Sequence, residues 1–185
     1  REAFKKVKNI LVPPESTFIE DGKVTTMWQI EFDNLVLFGD LQQADVLLNK
    51  ISLLQEDGLP FSSTEAEEYF ERSRAYVDAM LDRNPTEAAE RYIETIPPNA
   101  KRFYYRALGE IWEKAGNVEE AIAAYLKFVS GPSFSLGGTD QGWAGKVHFR
   151  LGELHEEQGN LDLAITHYGK MVDRWKDADD LVQPQ

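Results

Sequence analysis

Cysteine is absent from the 185 residues. Its absence excludes disulfide staples, thiolate-held zinc or iron–sulfur sites and cysteine nucleophiles, and leaves the redox compartment open. Positive charge is scarce: 20 Lys and Arg stand against 32 Asp and Glu, a formal net charge of −12. Non-specific nucleic-acid binding needs a basic surface that displaces counterions from phosphates, so no nucleic-acid partner is expected. No apolar run approaches the roughly 18 residues that span a bilayer, so no membrane insertion is expected either. Neither Gly-x-Ser-x-Gly nor His-Glu-x-x-His occurs, and Gly137-Gly138 is not followed by Gly-Lys-Ser/Thr. The nucleophile elbow, the zinc-protease helix and the phosphate loop are therefore missing. The chain starts at Arg1 with neither methionine nor a secretion-signal pattern, and reads as a piece of a longer protein. The cytoplasm is the expected compartment, with the periplasm as the alternative.

What is present is ordinary globular composition, 42% apolar and 28% charged, too apolar for a disordered chain. The chain also repeats itself. Residues 105–129 and 148–172 agree at an offset of 43. Leu108-Gly109-Glu110 matches Leu151-Gly152-Glu153, Gly116-Asn117 matches Gly159-Asn160, and Ala121-Ile122 matches Ala164-Ile165. Tyr125 and Lys127 match Tyr168 and Lys170. Ile111, Val118 and Val129 correspond to Leu154, Leu161 and Val172.

Gly109 and Gly152 fall mid-way along a first helix, where glycine costs about 1 kcal/mol relative to alanine. That cost is sensible only where a second helix comes close, and Ala121 and Ala164 are placed to face the spot. Gly116 and Gly159 stand where a helix C-terminal glycine belongs, and Asn117 and Asn160 cap the following helix. Tyr125 and Tyr168 lie one turn beyond the alanines on the same face. Each unit is thus an antiparallel helix pair with a tight turn.

Weaker copies lie upstream. Trp28, Phe32, Gly39 and Ala44 keep the spacing of Tyr105, Gly109, Gly116 and Ala121, with Leu48 and Ile51 in the places of Tyr125 and Phe128. An amphipathic helix is expected over 64–82, capped by Ser63 or Thr64. A second runs from Asn84 as cap and Pro85 in the first turn to about Ile96, with Ala88 and Tyr92 as its alanine and aromatic. Pro97-Pro98 stops it. Longer loops are placed at 58–62 and 131–143. Residues 1–10 read as an amphipathic helix, and 18–25 as a linker in preference to a hairpin turning at Asp21-Gly22.

Leu-Gly, a later Gly-Asn, then Ala-Ile with an aromatic four residues after the alanine resemble the tetratricopeptide repeat, whose unit is about 34 residues. In that frame the first aromatic position is Tyr105 and His148, and the later one Trp112 and His155. The small residue near the end of the second helix is replaced by Phe128 and Met171. The terminal proline is displaced to Pro132 in one unit and missing in the next. The resemblance implies an all-α fold of tandem antiparallel helix pairs stacked into a right-handed α-solenoid. Repeats are placed at about 25–58, 64–101, 102–131 and 145–178, within an array over 25–185. Residues 1–24 form a terminal helix and linker, or the end of a preceding repeat. Tyr168…Trp175-Lys176-Asp177-Ala178-Asp179 is similar to the end of repeat domains in large bacterial signalling proteins.

The implied function is that of a protein-interaction scaffold gripping a peptide or helix in the groove lined by first helices. Family members that hold a terminal carboxylate use basic and asparagine side chains there. The matching positions are Arg74, Arg106, Lys146 and Arg150; the asparagines are absent, and Glu110 and Glu153 share the surface. Lys146 and Arg150 lie one turn apart and could reach one anion, or the cations could simply pair with nearby glutamates. Phe134, Leu136 and Trp143 are apolar side chains in the 131–143 loop, available to a partner or to the array itself; Phe134 and Trp143 are the candidate contacts. His148 and His155, seven residues apart on one helix, are assigned to packing, with His167 close in sequence. The acidic groups Glu65, Glu67, Glu68 and Asp177, Asp179, Asp180 are assigned to solvated faces and helix starts. No catalytic residue, metal or cofactor is assigned. A structural or homo-oligomerisation module is the alternative function; an enzyme built on the 131–143 loop is a third.

Overall fold

The computed structural model describes residues 19–97, 102, 104–130 and 138–175. The expected helix at 1–10, Phe134, Leu136 and the segment after Trp175 lie outside them. Eight described helices follow a short hairpin: α1 (Met27–Leu37), α2 (Leu41–Glu56), α3 (Thr64–Met80), α4 (Pro85–Glu94), α5 (Tyr104–Lys114), α6 (Val118–Val129), α7 (Gly138–Glu157) and α8 (Leu161–Trp175). They pack as neighbouring pairs, α1 with α2 through α7 with α8. Successive pairs meet through α2 and α3, through α4 and α5, and through α6 and α7. This is an all-α array of the expected repeat type.

Turn chemistry sets the pairs. Gly116 has φ +74 and Gly159 φ +77, the left-handed conformation that glycine adopts without a Cβ penalty. The amide of Gly116 donates to the Glu113 carbonyl at 2.9 Å and that of Asn117 to Trp112 at 2.9 Å, the double bond of a Schellman turn. Gly159 and Asn160 repeat it on Glu156 and His155. Asn117 then caps α6 by accepting from the Glu120 amide at 3.3 Å, and Ser63 caps α3 by accepting from Ala66 at 3.2 Å. Asn84 stands at the N-cap of α4 as expected, but with φ 49 and no side-chain cap bond; its side-chain amide donates to Glu87 Oε2 at 2.6 Å instead.

Three further expectations are corrected. Residues 19–24 are a hairpin, β1 (Ile19–Glu20) paired antiparallel with β2 (Lys23–Val24), not a linker. Asp21 and Gly22 both have positive φ, 50 and 70, as a two-residue type I′ turn requires. Tertiary contact fixes it: Val24 is fully buried, its amide donates to Pro60, and its carbonyl accepts from Ser62, each at 2.9 Å. Trp143 belongs to a helix, not a loop. Packing of Trp143, Ala144 and Val147 against α6 carries α7 back to Gly138 despite the glycines. Finally, the group that fills the notch over Gly109 is the Tyr125 ring, not Ala121. A Cβ on Gly109 would lie 2.8 Å from Tyr125 Cζ, and one on Gly152 2.9 Å from Tyr168 Cζ.

Candidate functional site

First helices, together with Tyr92 of the second helix α4, line a cleft of about 520 Å³. α1 supplies Phe32, Asp33, Val36 and Leu37; α3 supplies Tyr69, Arg72 and Tyr76; α5 supplies Tyr104 and Arg106; α7 supplies Trp143. The α3 residues fall at spacings of three and four, so one face of a single helix turns into the cleft. Aromatic rings dominate the wall and offer wide, rigid contact area at low entropic cost.

The polar groups are held in place by the rings. The Tyr69 hydroxyl donates to Asp33 Oδ1. Burial raises the Asp33 carboxyl above its ordinary range, against the opposing effects of the Tyr69 bond and the Arg106 charge. Arg72 lies over two rings, 5.0 Å from the Tyr104 centroid and 5.9 Å from that of Tyr69, and donates to the Thr95 carbonyl at 2.7 Å. Tyr76 donates to Glu110 Oε2 at 2.8 Å, and Arg106 to Glu110 Oε1 at 2.5 Å. Arg106 and Lys146 each stand 4.4 Å from the Trp143 ring centroid, within cation–π range.

Arg106 and Trp143 thus meet in the cleft, with Glu110 bonded to Arg106 and Lys146 against the tryptophan. Arg74 turns elsewhere, bonding Asp45 Oδ1 and Asn49 Oδ1 on α2, each at 2.8 Å. Arg150 bridges helices: its Nε donates to Glu113 Oε2 at 2.7 Å and its Nη1 to Glu153 Oε2 at 3.0 Å. Lys146 and Arg150, although one turn apart, address different partners. The histidines are buried between α7 and α8. His148 and His167 bring their Nδ1 atoms to 3.1 Å, and the His155 and His167 rings stack at 5.5 Å.

Residues 146–178 match the family model described as tetratricopeptide repeat. This helix pair is a tetratricopeptide repeat. No curated protein and no solved structure matches the chain. Tetratricopeptide repeats are protein-interaction modules, and at that general level the matched repeat suggests an interaction scaffold with protein partners. Among the described residues no helix is long and apolar enough to cross a membrane. Asp33, Tyr69, Arg72, Tyr76 and Tyr104 went unnoticed in the sequence as site residues. The signal for them was the spacing of Tyr69, Arg72 and Tyr76 on a first helix of the tetratricopeptide type.

Proposed function

We propose that the cleft between the first helices of the array binds a peptide or helix of a protein partner, without covalent chemistry. The observation that carries this reading is an aromatic wall drawn from four first helices, with an arginine fixed at Glu110 and a carboxyl fixed at Tyr69. Rings accept apolar anchors, while Asp33 and Arg106 orient backbone or polar groups. The same reading makes the chain a regulatory part of a larger bacterial signalling protein acting in the cytoplasm. The resemblance of the segment from Tyr168 to Asp179 supports that placement.

The test selects peptides against the full chain from a random display library and measures their affinity by calorimetry. Leu37→Arg changes an exposed rim position, and Trp143→Ala removes the ring shared by Arg106 and Lys146. Trp143→Ala is expected to weaken the selected peptides at least about tenfold, as loss of a central anchor does, and Leu37→Arg at the rim to weaken them less. Peptides that bind both variants as tightly as the parent chain would place recognition elsewhere.

A further inference from the structure

The charged groups of the cleft are answered unevenly. Glu110 is satisfied at both oxygens, by Tyr76 at Oε2 and by Arg106 at Oε1. Arg72 is engaged by the Thr95 carbonyl and by the rings of Tyr69 and Tyr104. Asp33 stands at the solvent-facing rim of α1 and accepts from the Tyr69 hydroxyl through Oδ1 alone. Among the described residues no donor meets its Oδ2 and no cation pairs with it. Its carboxyl is raised accordingly: partial burial against the wall outweighs the Tyr69 bond and the Arg106 charge. A carboxylate with guanidinium groups in contact is shifted the other way, as Asp45 is beside Arg83 and Arg74.

We infer that the cleft selects its partner by a lysine, whose ammonium is bonded to Asp33 Oδ2 and whose methylene stem lies along the aromatic wall. This rests on the cleft being the peptide site, and adds the chemistry of its anchor. A single open oxygen suits the compact ammonium of lysine. The guanidinium fork of arginine reaches full strength only against both oxygens, and Tyr69 already holds Oδ1. Ring faces attract a cation, and the four-carbon stem covers apolar surface while its head stays at the rim. An acidic anchor would set like charges together, and a neutral one would leave the carboxylate without a counter-charge.

Peptides selected against the full chain from a random display library should share a lysine at one position. Calorimetry compares each lysine peptide with its norleucine counterpart, on the parent chain and on Asp33→Asn. Asparagine keeps an acceptor for Tyr69, and unchanged helix content and melting temperature verify the fold. Norleucine should weaken binding to the parent chain about tenfold or more. Asp33→Asn should weaken the lysine peptide by a similar factor and leave the norleucine peptide unchanged. Equal weakening of both peptides would make Asp33 a structural residue and overturn the inference. Selected peptides without a common lysine overturn it as well, as does indifference of the parent chain to norleucine, a result that needs no variant to fold. If Trp143→Ala still weakens such peptides, the cleft stands as the peptide site and only its lysine anchor fails; if it does not, the cleft reading fails with it. Lys5, Lys6 and Lys8 are cations of this chain itself. Tightening of peptide binding about tenfold by Lys5→Gln, Lys6→Gln and Lys8→Gln together would show that the chain fills the site from within, and overturns the assignment to a partner.

Discussion

Gly109 and Gly152 hold the same place in their repeats, yet their neighbours differ in freedom. The ring over Gly109 belongs to Tyr125, which is 2% exposed and tied to Glu113 through its hydroxyl at 2.5 Å. The ring over Gly152 belongs to Tyr168, which is only half-buried and whose hydroxyl bond to Glu156 Oε2 at 2.7 Å lies at the surface. Gly109→Ala should therefore cost about 1–3 kcal/mol through overpacking, outweighing the roughly 1 kcal/mol gained in helix propensity. Gly152→Ala should cost less, because Tyr168 can swing toward solvent; denaturant midpoints of the two variants check the order. Asp82 ends α3 with φ 58, where the other Schellman turns use glycine. Asp82→Gly should stabilise the chain by about 0.5–1 kcal/mol, read in the same experiment. An unchanged or lower midpoint would show that the ion pair of Asp82 with Lys114 outweighs the backbone strain.

At the scale of elements, the contact between α7 and α8 is unusual in resting on three buried imidazoles. Burial, followed by the charge of His167 and the nearby Arg174 and Lys170, pushes His148 down to about 4. Burial also lowers His167. The unfolded chain therefore takes up protons before the folded one does. Stability is complete above the ordinary histidine range near pH 6.5 and is lost as pH falls from there toward about 4. By pH 5, about 1.5 units below the ordinary value, the loss for His148 should reach on the order of 2 kcal/mol at roughly 1.4 kcal/mol per pKa unit. Thermal unfolding at pH 7.5 and pH 5 should show it, and His148→Phe should flatten the difference. Equal pH dependence in the variant would remove His148 from the account. The last two pairs were the legible ones, since glycine, asparagine and alanine recur at fixed spacing where backbones turn or meet. The first pair was harder to read because Phe32 stands where Gly109 does and Leu48 where Tyr125 does, so size is exchanged across the interface. The hairpin and the start of α7 escaped because Val24 and Trp143 are fixed by distant partners. The cleft escaped for a similar reason: Arg74, Arg106 and Arg150 look alike in sequence, and only the ring of Trp143 and the carboxylates they meet tell them apart.

Across the whole molecule, ion pairs tie one repeat to the next. Asp45 on α2 accepts from Arg74 on α3 and from both terminal nitrogens of Arg83, each at 2.8 Å. The hydrogen bond from Arg83, with the charges of Arg83 and Arg74, holds its carboxyl below the ordinary range. Its contribution is present at neutral pH and is lost as pH falls through the acid range below about 4. Asp45→Ala should cost about 1–2 kcal/mol, discounted for the half-exposed Arg83, and should loosen the first pair from the second. Amide exchange faster in α1 and α2 than in α7 and α8 would check that. The account as a whole claims that first helices form the binding surface and second helices support it. Hydrogen exchange of the full chain with a library-selected peptide tests this most directly. The account predicts added protection in α1, α3, α5 and the start of α7. Protection concentrated in α2, α4 and α6, with the first helices unchanged, would contradict it.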